Sequence, residues 1–147
     1  MSQIMLEIID ETHRCPSIKT LKRILRKYLE ALQIQQNVTL ILCDDATIAK
    51  RNLEHRGEDQ ATDVLSYPML EPTDFNMPTI EHLGDIFISL DTAQRQAKTD
   101  VISELLTLAA HGITHLRGFD HPTEEAWIPF HEAQQQVLKL YQNPTKP

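Results

Sequence analysis

The chain has 147 residues, of which 41% are hydrophobic and 24% charged, and this composition predicts a single globular domain spanning residues 1–147. No apolar run approaches the ~20 residues of a membrane span, and no export signal is evident at the N-terminus, so we expect a cytoplasmic protein with no membrane partner. The net charge of −7 argues against a protein that binds nucleic acid through its overall electrostatic field.

The first elements in chain order are a strand and an amphipathic helix. Residues 4–9 have the apolar character of a short strand. Ser17 is a suitable N-cap for the helix that follows. Along that helix, apolar residues recur at spacings of three and four: Ile18, Leu21, Leu25, Tyr28 and Leu32.

A second strand and a second helix follow. Residues 37–43 alternate in the pattern of a strand. Asp44 or Asp45 then caps a helix that continues to about Arg56, with Gly57 as its stop signal. The two cysteines, Cys15 and Cys43, form no CxxC pair, and we expect two unpaired thiols.

The second half of the chain predicts two further strands and three helices. The strands cover residues 63–68 and 84–90, and the proline-containing segment 70–82 between them reads as a surface loop. One helix begins at Asp91, and a longer one, capped by Asp100, is apolar all round and should lie buried against the sheet. The last helix starts with Thr123 as its cap, and Pro129 bends or restarts it.

Strands and helices in approximate alternation predict an α/β or α+β domain with a central sheet of about four strands packed with helices. The buried helix of this domain carries the first two of three clustered histidines. The order of the strands in the sheet does not follow from the sequence pattern.

Three of the seven histidines, His111, His115 and His121, lie within eleven residues. Four helical residues advance about 6 Å and turn about 400°, so the first two share one helix face. Gly118 is a natural left-handed helix terminator that turns the chain back and can bring His121 toward them. Three imidazoles suit zinc and leave one position for water, which favours an open catalytic site over a closed structural one. The alternative is three separate surface or core histidines.

The same spacing matches the metzincin peptidase signature H-E-x-x-H-x-x-G-x-x-H at every position but one. Gly112 stands where the peptidase has its general-base glutamate, and no methionine follows His121 to form a Met-turn. This argues against peptide hydrolysis by the usual route.

Three blocks of sequence resemble the YbeY family of bacterial rRNA maturation factors, which are metal-dependent endoribonucleases. They are "HGITHLRGFDH" (111–121), "RNLEHRGEDQATDVLSYP" (51–68) and "LGDIFIS" (83–89). The likeness covers most of the chain from Leu40 onward. Two departures, Pro122 after the last histidine and the segment "WIPFHEA", lie beyond the histidines and cast doubt on partner contacts more than on the metal.

The resemblance implies a single α/β domain, a zinc-like ion on His111, His115 and His121, and a functional arginine at Arg56. It also implies a role in maturing the 3′ end of 16S rRNA and in ribosome quality control. Precursor rRNA and the small ribosomal subunit would then be the partners. The native metal, the cleavage chemistry, the RNA sequence preference and the oligomeric state stay open.

Hydrolysis of a phosphodiester needs an activated nucleophile and compensation for charge that grows on the phosphoryl oxygens. A metal ion lowers the pKa of its bound water to about 7 and so supplies the nucleophile without a protein base, which suits the replacement of the glutamate by Gly112. Arg56 can bind phosphate oxygens through its planar fork, although its position alone is typical of a solvated helix end. Asp63 and Ser66 either position substrate or hydrogen-bond the backbone.

Other polar residues have open roles. Asp120 either orients a histidine or satisfies the turn, and Asp85 is expected to be structural. The basic stretch of the first helix either faces RNA or is a solvated face; it comprises Lys19, Lys22, Arg23, Arg26 and Lys27. The other histidines have no partner at ligand spacing, though one of them borders Arg56; they are His13, His55, His82 and His131.

Three functions compete at this point. The first is a metal-dependent, single-strand-specific endoribonuclease in rRNA maturation. The second is a metallopeptidase-like hydrolase, which Gly112 disfavours. The third is a non-catalytic ribosome-assembly factor whose metal is structural, and the acidic net charge is compatible with it because a protein partner could then supply the targeting.

Overall fold

The described part of the chain, residues 5–69 and 82–142 of a computed structural model, contains four strands and five α-helices. The strands are β1 (Leu6–Asp10), β2 (Asn37–Cys43), β3 (Val64–Pro68) and β4 (His82–Ser89). The helices are α1 (Ile18–Ala31), α2 (Asp45–Arg56), α3 (Leu90–Gln96), α4 (Val101–Leu116) and α5 (Ile128–Gln142). A 3₁₀ turn, Glu125–Trp127, precedes α5. The loop predicted over 70–82 lies outside the described residues except for His82, which opens β4.

Three helix starts and the end of α2 follow the prediction, whereas α3 and the last helix begin at other residues than predicted. The side chains of Ser17, Asp44 and Asp100 each accept a hydrogen bond from a backbone N–H three residues on, and Gly57 ends α2 with a φ of 75°. Helix α3 starts at Leu90 instead of Asp91. Its cap is the hydroxyl of Ser89, which accepts from the N–H of Thr92 at 3.2 Å.

The last helix starts in two stages. Thr123 accepts a hydrogen bond from the N–H of Ala126 at 3.3 Å, but the 3₁₀ turn separates it from α5, so the prediction that it caps the last helix is wrong. Pro129 then lies in the first turn of α5. A missing N–H costs nothing there, because the first helical amides have no partner within the helix. The proline therefore restarts the helix and does not bend it.

The sheet is mixed, in the order β1-β2-β4-β3. The first three strands in this order are parallel, and β3 pairs antiparallel with β4. This confirms the predicted α+β class with about four strands. The large core, which includes Leu40 and Ile86, lies on one face of the sheet, where α1 and α4 pack on the strands and α5 packs on these two helices. A smaller cluster that includes Ile48 and Phe87 lies on the other face, which α2 covers.

Helix α4 is the buried helix that its apolar sequence predicts. Ten of its sixteen residues are buried. It packs against β3, β4 and α5, and its last two turns carry the first two histidines. The packing of α4 against β3, β4 and α5 therefore fixes the positions of these two imidazoles.

The start of α2 is held by a network around Asp45. Its carboxylate accepts hydrogen bonds from the hydroxyl of Ser89 at 2.6 Å, the hydroxyl of Thr92 at 2.7 Å and the guanidinium of Arg95 at 2.8 Å. The bond from Arg95, followed by those from the hydroxyls, holds the pKa of this carboxyl at about 2 despite partial burial. The network joins α2 to α3 and so sets the direction in which α2 leads to Arg56.

Cys15 and Cys43 are both free, as predicted. Cys43 is buried, and burial raises the pKa of its thiol to about 12, so it remains protonated at neutral pH. Within residues 5–69 and 82–142, no helix combines the length and the apolar character needed to span a membrane.

Candidate metal centre

His111 and His115 lie one turn apart on the partly exposed face of α4. Their ring centroids are 4.8 Å apart, and their Nε2 atoms are 3.1 Å apart. The i, i+4 spacing places the two rings side by side, as the helical geometry predicts.

His121 reaches the other two histidines through the turn at Gly118. This glycine has a φ of 98°, a left-handed conformation that favours glycine, and its N–H bonds the carbonyl of His115 at 2.9 Å. The N–H of Phe119 also returns to the carbonyl of Thr114 at 3.3 Å. One nitrogen of each histidine then lies within 4.8 Å of the others. The structure thus brings together the three side chains that the spacing singled out.

The protonation of the rings suits metal ligands. Nδ1 of His115 lies 3.1 Å from the carbonyl oxygen of Phe119, which can only accept, so Nδ1 carries the hydrogen and Nε2 keeps its lone pair. Burial, and then the neighbouring histidines, lowers the pKa of His111 to about 4. Burial also lowers the pKa of His115. Neutral imidazole is the form that binds metal, so the donor set fits one divalent ion of the zinc type.

An aromatic wall packs against the three histidines. The indole of Trp127 stacks on the ring of His121, with centroids 3.8 Å apart and planes at 14°. The ring of Phe130 lies 4.7 Å from that of His111 and 4.8 Å from that of His115. Sequence reasoning missed both aromatics. The one available signal was that Phe130, Ala133 and Val137 share a buried stripe of α5.

Gly112 has a packing role that explains why no glutamate stands there. A Cβ at this position would lie 2.8 Å from Cγ2 of Ile86 and 3.1 Å from the hydroxyl of Ser66. A side chain at residue 112 would therefore force the side chain of Ile86 to shift. This crowding disfavours a general base of the peptidase kind at this position.

We expect Gly112→Ala to lower the free energy of unfolding by about 1–3 kcal/mol, because the added methyl overpacks the α4–β4 contact. Urea denaturation measures this. The sign is decisive, since alanine in place of glycine stabilises an uncrowded helix by about 1 kcal/mol. Gly57→Ala is the control for backbone strain, because a Cβ at Gly57 meets nothing within 4 Å. A neutral or stabilising Gly112→Ala would contradict the close approach.

The predicted substrate residues lie around the same cleft. Arg56, Asp63 and Ser66 line it together with the three histidines, and its volume is about 590 Å³. Arg56 is exposed at the end of α2, and its charge contributes to the lowered pKa of His115. The cleft also includes residues that the sequence did not single out: Thr62, Leu108, Phe119 and Trp127.

Ser66 and Asp63 both make backbone contacts within the fold. The hydroxyl of Ser66 donates to the carbonyl of Gly112 at 3.3 Å and so ties β3 to α4. The carbonyl of Asp63 accepts from the N–H of Ser89 at 3.0 Å. Burial, and then the nearby charge of Asp63, raises the pKa of Glu104 on α4.

Asp120 and Asp85 have local partners. Asp120 accepts a hydrogen bond from the backbone N–H of His121 at 2.8 Å, which stabilises the turn. Asp85 lies 2.7 Å from Nε2 of His82 and pairs across the sheet with Tyr67. Neither contact involves a side-chain nitrogen of the three histidines.

Two of the remaining histidines lie near the centre without joining it. His55 lines the cleft, and its ring packs on Tyr67 with centroids 4.4 Å apart. The ring of His131 stacks on that of Trp127, with centroids 6.0 Å apart. His13 is exposed on the loop after β1.

The fold and this centre define a class of small α+β protein in which three histidines at the end of a buried helix face an open cleft. The sequence model of the family described as "Endoribonuclease YbeY" matches residues 7–142. The chain belongs to the YbeY family.

Similar proteins support this assignment. An "Endoribonuclease YbeY" of Thermus thermophilus is 46% identical over 84% of this chain and 90% of its own length. One of Deinococcus radiodurans is 50% identical over 67% of this chain and 72% of its own. The solution structure of a Thermotoga maritima protein is similar with a TM-score of 0.61 and 25% identity, covering 96% of this chain and 94% of that one.

Proposed function

We propose that this protein is a metal-dependent endoribonuclease that cuts single-stranded rRNA precursors, in the maturation of the 16S 3′ end and in ribosome quality control. The observation that carries the proposal is that three imidazoles and the exposed guanidinium of Arg56 line one open cleft. The names of the related proteins support the nuclease assignment.

His111, His115 and His121 would hold one divalent ion, and nitrogen donors of this kind favour zinc. Bound there, the ion would activate water and neutralise charge on the phosphate. The chain itself contributes the three rings, an aromatic wall of Trp127 and Phe130 against them, and Arg56 in the lining of the same cleft.

Arg56 would bind the phosphate that is cut. Its guanidinium is permanently charged and presents paired N–H donors that match two phosphate oxygens. Arg56 lines the cleft and is exposed, so its charge is not buried in the free protein. Donors fixed where negative charge develops are a large source of rate enhancement.

Asp63 and Ser66 would position the nucleotide next to the cut. The carboxylate of Asp63 can accept a hydrogen bond from a ribose 2′-hydroxyl, the group that distinguishes RNA from DNA. The hydroxyl of Ser66, which lines the cleft, donates to the carbonyl of Gly112 and keeps its lone pairs as acceptors for a substrate. We further propose that the protein acts in the cytoplasm and that its partner is the small ribosomal subunit.

The test uses purified, zinc-loaded protein on a single-stranded RNA from the 16S 3′ region, on the same sequence in a duplex, and on a peptide library. We expect cleavage of the single strand only. Cleavage of peptides would favour the metallopeptidase alternative. Failure to cut any RNA, while rRNA maturation in cells still requires the protein, would favour the non-catalytic assembly factor.

A further inference from the structure

A basic surface covers the solvent side of α1. We define the α1 basic face as Lys19, Lys22, Arg23, Arg26 and Lys27. At about 100° per residue these five positions fall within about 140° of arc. The opposite side of the helix is buried in the core through Leu21, Ile24, Leu25, Tyr28 and Leu29.

The charge of this face contrasts with that of the protein. Helix α1 contains five basic residues and a single acidic one, Glu30, whereas the whole chain has a net charge of −7. The side chains of the face, with Glu30, line a shallow groove on the surface. Four of its five cations are exposed, and Lys27 is partly exposed. Self-repulsion makes such a cluster costly unless a polyanion offsets it.

The buried side of α1 packs against α4 near the end that carries the histidines. The buried hydroxyl of Tyr28, near the end of α1, lies beside that of Thr114 and within the field of Arg117. Arg117 follows His115 by two residues, is exposed, and lies over the ring of Phe119 at 5.6 Å. Phe119 in turn lines the cleft. Arg117 therefore adds an exposed positive charge between the buried side of α1 and a residue that lines the cleft.

We propose that the α1 basic face, together with the exposed Arg117, binds the phosphate backbone of single-stranded RNA that extends beyond the cleft. This inference rests on the proposed function for the identity of the polyanion. It resolves a difficulty of that function, namely how a protein with a net charge of −7 holds a polyanionic substrate. The face adds affinity without reading sequence, since phosphate contacts position a nucleic acid and do not discriminate bases.

The test compares two zinc-loaded double variants with the wild type. Lys22→Gln with Arg26→Gln removes two charges from the face, and Lys50→Gln with Lys98→Gln removes two exposed charges elsewhere. Each protein is measured on a short oligonucleotide that fills only the cleft and on a longer single-stranded RNA, over a range of salt concentrations.

We expect the face variant to cut the short oligonucleotide like wild type and to bind the longer RNA about 20-fold more weakly at 0.1 M salt. The slope of log K against log salt should shrink by about 1.4, or about 0.7 for each lost phosphate contact. The control variant should keep the wild-type slope.

Equal slopes for the two variants would overturn the proposal. Equal losses on the short and the long RNA would also overturn it, because the face would then act through the cleft or the fold. A face variant that binds RNA normally but loses binding to anionic phospholipid vesicles would assign the face to a membrane. If the face variant shows the predicted decrease in slope on the long RNA but the wild type cuts neither substrate, the proposed nuclease function fails while the proposed role of the α1 basic face stands.

Discussion

Replacing His115 by alanine is expected to abolish RNA cleavage while the protein stays folded. The residue contributes one of three nitrogens that converge in the cleft, and the remaining two cannot retain an ion with the same affinity. Loss of the ion removes several kcal/mol of charge stabilisation, so kcat/KM should fall about 1000-fold or more. Because His115 lies half-buried at the end of α4 and not in the core, folding should persist.

Cleavage rates, zinc content per chain and thermal unfolding are measured together for this variant. His82→Ala is the matched control, since this histidine pairs with Asp85 and does not line the cleft. The control should keep both its zinc and its activity. A His115→Ala protein that still supports rRNA maturation in cells would instead identify a non-catalytic assembly factor.

Arg56→Ala is expected to lower kcat by about 100- to 1000-fold, or about 3–4 kcal/mol, with zinc content unchanged. The effect should fall on kcat more than on KM, because the guanidinium interacts most strongly with charge that develops during the reaction. The free energy of unfolding should change by less than about 0.5 kcal/mol, since the side chain is exposed. Lysine should restore only part of the activity, because it lacks the planar fork.

Arg51→Ala is the matched control on the same helix. Its guanidinium lies 4.1 Å from the ring of Phe87, on the far side of the sheet from the histidines. This variant should lose some stability and keep its kcat. Arg56→Ala with wild-type kinetics would show that Arg56 is a solvated helix end, the assignment that its position alone favours.

Local signals predicted most of the fold. Helix caps such as Ser17, Asp44 and Asp100 act within three residues, so the sequence alone indicates where these helices begin. The start of α3 was predicted one residue late because Ser89, the last residue of a strand, also serves as the cap. The antiparallel pairing of β3 with β4 depends on contacts between distant parts of the chain, which periodicity does not report.

The candidate site likewise contains residues that local sequence signals predict and residues that they do not. His111 and His115 are neighbours by helical geometry alone, and Gly118 marks the turn to His121. Arg56 lies in another element and could be assigned only through the family resemblance. Phe130 has the apolar pattern of any core residue, and Trp127 lies in the turn before α5 and outside that pattern, so their contact with the histidines could not be inferred from the sequence.

X-ray absorption at the zinc edge of the loaded protein tests the central claim most directly. We predict one zinc per chain with three imidazole nitrogens at about 2.0–2.1 Å and no sulfur neighbour. The signature of three histidine ligands should be lost in His115→Ala. A sulfur ligand at about 2.3 Å, or fewer than three imidazoles around the ion in the wild type, would contradict this claim.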